Sequence, residues 1–581
     1  MKFTGRPIRI AGASGSASDR RHAIAEFARH YETDPVDVII ADFMSEFNMG
    51  SNAGRRVDQG QNGMPAYDLS FLEAVEPALN DLAKHGIKLA VNAGVCDTKG
   101  LYDVVLKMAR SKGLDLKVAY VTGDEVLPAV QKALSGGQSE FRNIYTDGKL
   151  ADWDFEPIYA QCYLGGLGIA AAFTEGADIV LCGRVSDASP VIGAAYWYHG
   201  WQRDELDKLA NAFVAGHLIE CSNYVCGGNF TGFKSLEHGG DGWTNIGYPI
   251  AEISAEGDVI ITKQSYSTGG AVTVDTCTSQ LLYEIQGPWY YNSDVTAIID
   301  GIHFEQRGIN RVALLGVRSG PPPPTTKVGI TARGGFQAEA WWYLTGLDIE
   351  AKAQMFEAQI RRLVAPHADK FTTLKFDLLG SSLPDASSQN RATVPLRVVA
   401  QARHADDLGP KKFARPLSDN IMQGYPGATF QLDMRQAFPR ALFEYYAVTQ
   451  TDKPIDLMND FGPTDRGPLG WIVHGRSGDK GSDANCGLWV RHRDEYLWLR
   501  SLLSIEKARD LLGDEAHRSP PLAIERFELP GLQAVHFLFR NLLDRGVGVT
   551  STVDCLGKNV AEYIRSRHVD LPTRFLNRGK L

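Results

Sequence analysis

The chain has 581 residues, 44 % hydrophobic and 22 % charged, with a formal net charge of −9; this length asks for roughly three or four domains, a composition near the globular average excludes disorder as the default, and the acidic balance excludes a basic nucleic-acid footprint. The eight cysteines, at 96, 162, 182, 221, 226, 277, 486 and 555, form no CxxC pair, so reduced cytosolic thiols are expected rather than a disulfide framework or a zinc site. No run reaches the ~18 apolar residues of a membrane helix, and the opening MKFTGRPIRI enters a strand at once with no room for a signal peptide, which predicts a cytoplasmic protein off the membrane.

In chain order, short apolar runs predict strands at Ile8–Ala11, Val38–Ala41, Lys88–Asn92, Leu116–Val121 and Ile179–Leu181. Between them, amphipathic stretches predict helices at Asp19–His30, Leu69–Lys84, Leu101–Arg110, Val126–Leu134 and Cys162–Phe173. Strands this short and apolar suit burial on both faces, and their alternation with helices predicts βαβ units in an open, mostly parallel sheet. A long helix at Asp204–Cys221 then leads into a β-rich stretch from about residue 222. PIAEISAEGDVIITK reads as strand, turn, strand, and AVTVDTCT and RVALLGVRSG as further strands, while the prolines 321–324 stiffen a loop. Helix returns at Ile349–Leu363 and strand at Val394–Ala402; the polar stretch 450–468 reads as a linker before a small α+β unit that closes the chain.

In an open α/β sheet, ligands bind beyond the carboxyl ends of the strands. Those ends carry Gly12, Ser14, Gly15 and Asp19 after the first strand, Asp42 and then Glu46 after the second, Asn92 in NAGVCD after the third, Asp124 after the fourth, and Arg184 and Asp187 in GRVSDAS after the fifth. Glycine, asparagine and aspartate are also what turns and N-caps need, so it is the edge as a whole that predicts a site. The first turn offers free N–H groups at a helix start, suited to an anion. It lacks GxGxxG and GxxxxGK[ST], so neither a dinucleotide fingerprint nor a P-loop is present, and it lacks the GxSxG of a nucleophile elbow at Ser14.

On the long helix, Leu206, Leu209, Phe213, His217 and Glu220 recur at helical spacing. His217 and Glu220 therefore extend an apolar face and are expected to pair, either as a structural tie or as a general acid/base couple. HxxE is not the two-histidine zinc pattern, and no metal ligand set is expected. CGGNF, with Asn229, and YSTGGAV, with Gly269 and Gly270, add glycine turns. Residues 473–490, VHGRSGDKGSDANCGLWV, read as a charged glycine-rich loop between strand-like ends, too long for a hairpin turn. Arg476, Asp479 and Lys480 can hold a carboxylate or phosphate there, and the interleaved glycines let backbone come close to it; the alternative is a self-satisfied surface loop.

ADFMSEFNM, VNAG, GRVSDA, AGHLIEC with GGNF, PIAEI with VIITK, and TGGAVTV follow in that order, and the chain that carries them resembles the acyclic terpene utilisation (AtuA) family along nearly its whole length. RSGDKGSDAN resembles the signature of that family's small ferredoxin-like C-terminal domain. One stretch and one single position depart: Ser16, Ala17, Ser18 and Asp19 stand where the family often has an aromatic residue and then Gly-Asp, and Cys226 where Thr or Ser is common. The expected architecture is an α/β core domain at 1–455, whose open, mostly parallel sheet with flanking helices is extended by β-rich α+β structure, and a small ferredoxin-like domain at 467–581.

The resemblance implies an enzyme of carboxylic-acid or acyl-CoA catabolism of the citronellol and geraniol type, with lyase or hydro-lyase chemistry on a branched acyl substrate. Glu220 and His217 would then be the acid/base groups, with Asp187 beside them, and Arg184 or Lys480 would hold a carboxylate or enolate oxygen. An ester, lactone or thioester hydrolase using Ser14 or Cys226 is the alternative, and a non-catalytic ligand-binding or scaffold protein a third. The expected partner is a small acyl or carboxylate molecule bound by a homo-oligomer, with no cofactor required beyond the CoA moiety that a thioester substrate would bring.

Overall fold

The computed structural model describes residues 5–62, 64–135, 141–237, 241–266, 268–447, 461–516 and 522–581. The first elements are β1 (Ile8–Gly15), α1 (Ala23–Arg29), β2 (Val38–Asp42), α2 (Glu46–Asn62), α3 (Leu69–Val75), α4 (Leu79–His85), β3 (Lys88–Val91), α5 (Thr98–Ser111), β4 (Val118–Tyr120), α6 (Leu127–Ser135), β5 (Pro157–Cys162), α7 (Leu167–Thr174), β6 (Ile179–Leu181), α8 (Ser189–His199) and α9 (Leu206–Glu220). Then come β7 (Pro249–Ile253), β8 (Val259–Lys263), α10 (Val274–Leu281), β9 (Trp289–Tyr291), β10 (Thr296–Ile298), β11 (His303–Gly308), β12 (Arg311–Leu315) and β13 (Arg318–Gly320).

Alternate residues of the strands enter different cores, as the period of two requires. Ile10, Val38, Ile40, Ala90 and Val180 pack into one cluster with α8 and α9, and Ala11, Ile39, Ala41, Leu89, Val91, Ile179 and Leu181 into another with α1, α3, α4 and α5. The sheet is thus covered on both faces. Among the described residues it has nine strands in the order β11-β12-β8-β7-β1-β2-β3-β6-β4. The pairings from β1 to β4 are parallel, and those from β1 out to β11 antiparallel. The β-rich stretch therefore extends the N-terminal sheet, and β1 lies inside it with neighbours on both sides.

Several elements differ from the expectations. Leu69–Lys84 is broken into α3 and α4 by a 3₁₀ turn at Glu76–Ala78, which contains Pro77. AVTVDTCT is not a strand: Thr273 caps Val274–Leu281 in a reciprocal box with Thr276, and this N-cap chemistry outweighs the β-branched composition. Cys162 ends a strand instead of starting a helix, and α2 and α8 are helices that composition did not reveal, α2 because glycine and asparagine dilute its pattern. Of the expected linker, 450–460 lies outside the described residues, as does position 267 of YSTGGAV, while Thr464–Pro468 is a strand paired with His568–Pro572.

The glycine-rich stretch is no loop. His474–Lys480 and Asp483–Trp489 are the arms of a β-hairpin turned at Gly481 and Ser482, with Gly481 at φ +61°. With Ala534–Phe539 and Ile524–Leu529 they form an antiparallel four-stranded sheet over Leu488, Val535, Phe537 and Leu499. The chain divides into two compact units, Met1–Thr331 with Tyr445–Leu581, and Ala332–Glu444. The second has its own core of Trp342, Phe356, Ile360, Leu396 and Phe413, and its strand Thr393–Ala402 pairs on one side with Phe336–Thr345 and on the other with Phe371–Leu378. No helix among the described residues is long and apolar enough to cross a membrane.

Candidate functional site

β1 and β2 end side by side, Gly15 in register with Asp42. Helix α9 crosses β1 so closely that a Cβ on Gly12 would lie 2.2 Å from the Ile219 carbonyl oxygen, and one on Gly15 2.6 Å from Cys221 backbone. Only glycine permits this approach, and it brings Glu220, the last residue of α9, to the end of the sheet. Between these ends lies a cavity of about 400 Å³. Its wall includes Gly15 to Asp19, Asp42, Met44 to Phe47, Asp187, Glu220 to Tyr224, Tyr283 and Glu284 after α10, Asp479 and Lys480 at the hairpin tip, and Val547, Leu556 and Lys558 near the C-terminus.

Seven carboxyl groups thus face one cavity. Asp42 Oδ1 accepts from the Met44 N–H and the Asn92 amide, both at 2.8 Å, and Oδ2 has no hydrogen-bond partner among the described residues. Burial, with Asp187 nearby, pushes Asp42 up to about 7 against the pull of Arg184. Burial, with Asp187, Asp42 and Glu284, pushes Glu220 well above the carboxylate range; its side-chain partner is the Cys221 thiol. Burial and Glu284 likewise push Asp479 up to about 7, opposed by Lys480. Asp19 is spent locally, accepting from Gly15 N–H at 3.2 Å, Arg20 N–H at 2.6 Å and the Ser222 hydroxyl at 2.6 Å. Glu46 is the opposite case: burial would raise it, but Lys327, Lys480 and Arg184 hold it well below the usual range.

Lys480 Nζ lies 2.5 Å from Glu284 Oε2. Burial opposes its charge, yet Glu284, Glu46 and Asp187 keep the ammonium protonated. Glu284 reaches it from a backbone at φ +62°, with its N–H on Asn485 Oδ1 at 3.2 Å, and Ser222 on the same wall has φ +47°. Non-glycine residues in the left-handed region persist where the surroundings over-determine them. The cavity therefore holds protonated carboxyls beside carboxylates, with an anchored ammonium among them, an arrangement suited to moving protons.

Eight of the residues expected at a site meet here: Gly15, Asp19, Asp42, Glu46, Asp187, Glu220, Asp479 and Lys480. The others do not line the cavity. Arg184 is buried behind it, with Nε on Val185 O, Nη1 on Met44 O at 3.0 Å and Nη2 on Val185 O and Asp187 Oδ1, so it positions Asp187. His217 does not pair with Glu220. Its Nε2–H fits donation to Leu281 O at 3.3 Å and its Nδ1 acceptance from the Tyr290 hydroxyl at 3.1 Å, and burial lowers it to about 4. That is a neutral, structural histidine. Asn92 and Asp124 brace the strand ends, Asp124 accepting from Gln161 at 2.7 Å and Arg184 N–H at 2.9 Å. The Ser14 hydroxyl reaches Ser16 O at 2.9 Å and Asp42 O at 3.2 Å.

Gly269 and Gly270 are packing glycines against Gly242 and Cys226 backbone. Asn229, at φ +54°, accepts from Arg476 Nη1 at 3.3 Å. The hairpin glycines likewise admit side chains rather than a ligand: Cβ atoms on Gly478 and Gly481 would meet the Tyr283 and Tyr145 rings at 2.2 and 2.3 Å. Sequence reasoning missed Glu284, Lys558, Tyr224 and Tyr283. Glu284 follows a stretch read as strand, and Lys558 sits in a short glycine turn, CLGKN, whose only signal was that lysine beside Gly557.

Two family models match this chain: acyclic terpene utilisation family protein AtuA over residues 8–458, and the AtuA ferredoxin-like domain over residues 467–570. No curated protein matches the chain significantly, and no solved structure does.

Proposed function

The chain belongs to the acyclic terpene utilisation (AtuA) family, and from that premise we propose that it is an enzyme of acyl catabolism with lyase or hydro-lyase chemistry on a branched acyl substrate. The observation that carries this reading is the set of raised carboxyls, Glu220, Asp42 and Asp479, facing one cavity with Lys480. A hydro-lyase needs a proton donor and a proton acceptor on the same substrate at neutral pH. Glu220 supplies the proton. Asp42, with one oxygen free and an affinity near neutrality, accepts one. In the hydration direction, water oxygen bonds to one alkene carbon as its proton passes to Asp42, and the Glu220 proton passes to the adjacent carbon. Lys480 stabilises the charge that develops on the acyl oxygen.

The cavity size suits the acyl part of a substrate, and any CoA portion would lie outside it. At the rim Phe47 is 50 % and Leu556 40 % exposed, an apolar margin fit for a branched hydrocarbon chain. The hydrolase alternative finds less support. Ser14 is off the wall, and Cys226 is fully buried, its thiol pushed up to about 12 by burial.

The test begins with metabolites. A deletion strain compared with its parent identifies the acid or thioester that accumulates, and the purified protein should convert that compound while Glu220→Gln does not. Covalent labelling of the wild type by an acylating probe, with turnover intact in Glu220→Gln, would replace this reading with a hydrolase.

A further inference from the structure

The two lysines on the cavity wall are not equivalent. Lys480 is neutralised by Glu284. Lys558 has no carboxylate within ion-pair distance among the described residues; its Nζ donates to the Tyr224 hydroxyl at 2.6 Å and lies 4.9 and 5.3 Å from the centres of the Tyr224 and Tyr283 rings. Of the two acids four residues away in sequence, Glu562 pairs with Arg565 at 2.7 Å, and Asp554 is used on the backbone, accepting from the N–H of Lys558 at 3.0 Å and of Asn559 at 2.9 Å. It fixes the turn that presents the lysine.

The same two rings carry a second cation. The Arg476 guanidinium lies 4.5 Å from the Tyr224 ring centre and 4.2 Å from that of Tyr283. Arg476 is 4 % exposed, donates through Nη1 to Asn229 O at 3.3 Å, and has its buried Nη2 without a hydrogen-bond partner among the described residues. An orphaned donor on a buried charge is costly. Ring faces offset part of that cost, but they also bring two like charges together, and Arg476 and Lys558 repel each other. An anion would relieve the repulsion that these contacts leave standing.

We propose that Lys558, mounted on Tyr224 and Tyr283 with Arg476 buried behind the same ring pair, forms an anion subsite of the cavity that takes a carboxylate or phosphate group of the substrate. This rests on the reading of the cavity as a substrate site; Lys480, held by Glu284, keeps only the charge that develops on the acyl oxygen, and the standing anionic group of the substrate goes to Lys558. The acidic groups Asp42, Asp187 and Glu220 then face the reacting carbons, and the substrate is bipolar across the cavity, with its anionic group at the tyrosine pair. Asp479, near both lysines, is the acid that such an anion would encounter.

Isothermal titration of the full chain at pH 7.5 tests this without turnover, using 3-methylbut-2-enoate, its neutral amide, and inorganic phosphate. At least one anion should bind saturably and the amide at least tenfold more weakly; which anion binds identifies the group. Lys558→Met should weaken that anion tenfold or more, Lys558→Arg should restore most of the affinity, and Lys480→Met should change it less than Lys558→Met does. Thermal melts identify any variant that fails to fold, and for those the Tyr224→Phe variant serves, expected to weaken the anion severalfold by removing the hydroxyl that holds the Lys558 ammonium. Absence of saturable anion binding by the wild type, or loss of binding in Lys480→Met with Lys558→Met unaffected, overturns the subsite. Glu220→Gln should still bind the anion, so a failure of the acid/base reading and a failure of the subsite give different results.

Discussion

Glu220 is a carboxyl that burial and three neighbouring acids keep protonated. Replacement by glutamine removes a proton and almost nothing else, so Glu220→Gln is expected to melt within a few degrees of wild type while losing at least ~10²-fold in turnover, the usual worth of general acid catalysis. Asp479 gives a pH test. Its affinity for a proton is raised from 3.8 to about 7 on folding, so the folded state holds the proton more tightly than the unfolded one. Its stabilising contribution is therefore complete below about pH 4 and is lost as pH rises to about 7. Asp479→Asn should melt higher than wild type at pH 8, with the gain vanishing near pH 4; a gain of the same size at both pH values would contradict the assignment. Lys480→Ala leaves the Glu284 carboxylate in a largely buried setting without its ammonium. It should cost ~1–3 kcal/mol in chemical denaturation, most of it recovered by adding Glu284→Gln.

At the scale of elements, the site depends on two close approaches. Helix α9 lies on β1 through Gly12, and the hairpin lies on Tyr283 through Gly478. Gly478→Ala meets a ring edge that can shift, and Gly12→Ala meets a backbone carbonyl that cannot without moving the helix. Both should destabilise, by ~1–3 kcal/mol, but Gly12→Ala should also displace Glu220 and lose activity beyond its stability cost, as kinetics on the folded fraction would show. The helix also explains why His217 and Glu220 part company. From Leu209 on, nearly every residue of α9 is buried, so it has no single core face. A step of three residues leaves ~60° between the two side chains, enough for one to reach Leu281 and Tyr290 and for the other to face the cavity at the helix end.

At the scale of the molecule, the cavity is assembled from segments almost the full length of the chain apart, from Gly15 to Lys558. A chain ending at Ala447 would keep β1, β2 and α9 but lose Asp479, Lys480, Val547, Leu556 and Lys558, and it would uncover Leu282 and Tyr283, which meet the hairpin at Gly487 and Gly478. It should lose anion binding in titration and self-associate in size-exclusion chromatography, because an apolar surface that the C-terminal sheet covers would face water. Binding of undiminished strength in that truncated chain would place the site elsewhere.

The N-terminal strands were legible because both their faces are buried, and uninterrupted apolar runs such as Val38–Ala41 and Ile179–Leu181 have no other use in a βαβ pattern. The strand ends were legible for the same reason: once the sheet is known, Asp42, Asp187 and the turn at Gly15 to Asp19 must share an edge. Family membership was legible from motifs in order, which require no contacts to be known. Partnership was not. Whether Arg184 meets a ligand or Asp187, whether Lys480 is free or held by Glu284, and whether a hairpin glycine admits a substrate or a tyrosine ring depend on what arrives from residues far away in the chain. Local sequence records the propensity of a segment and the chemistry of its side chains; the partner that buries a charge, shifts its proton affinity or leaves it unpaired is supplied only by tertiary packing.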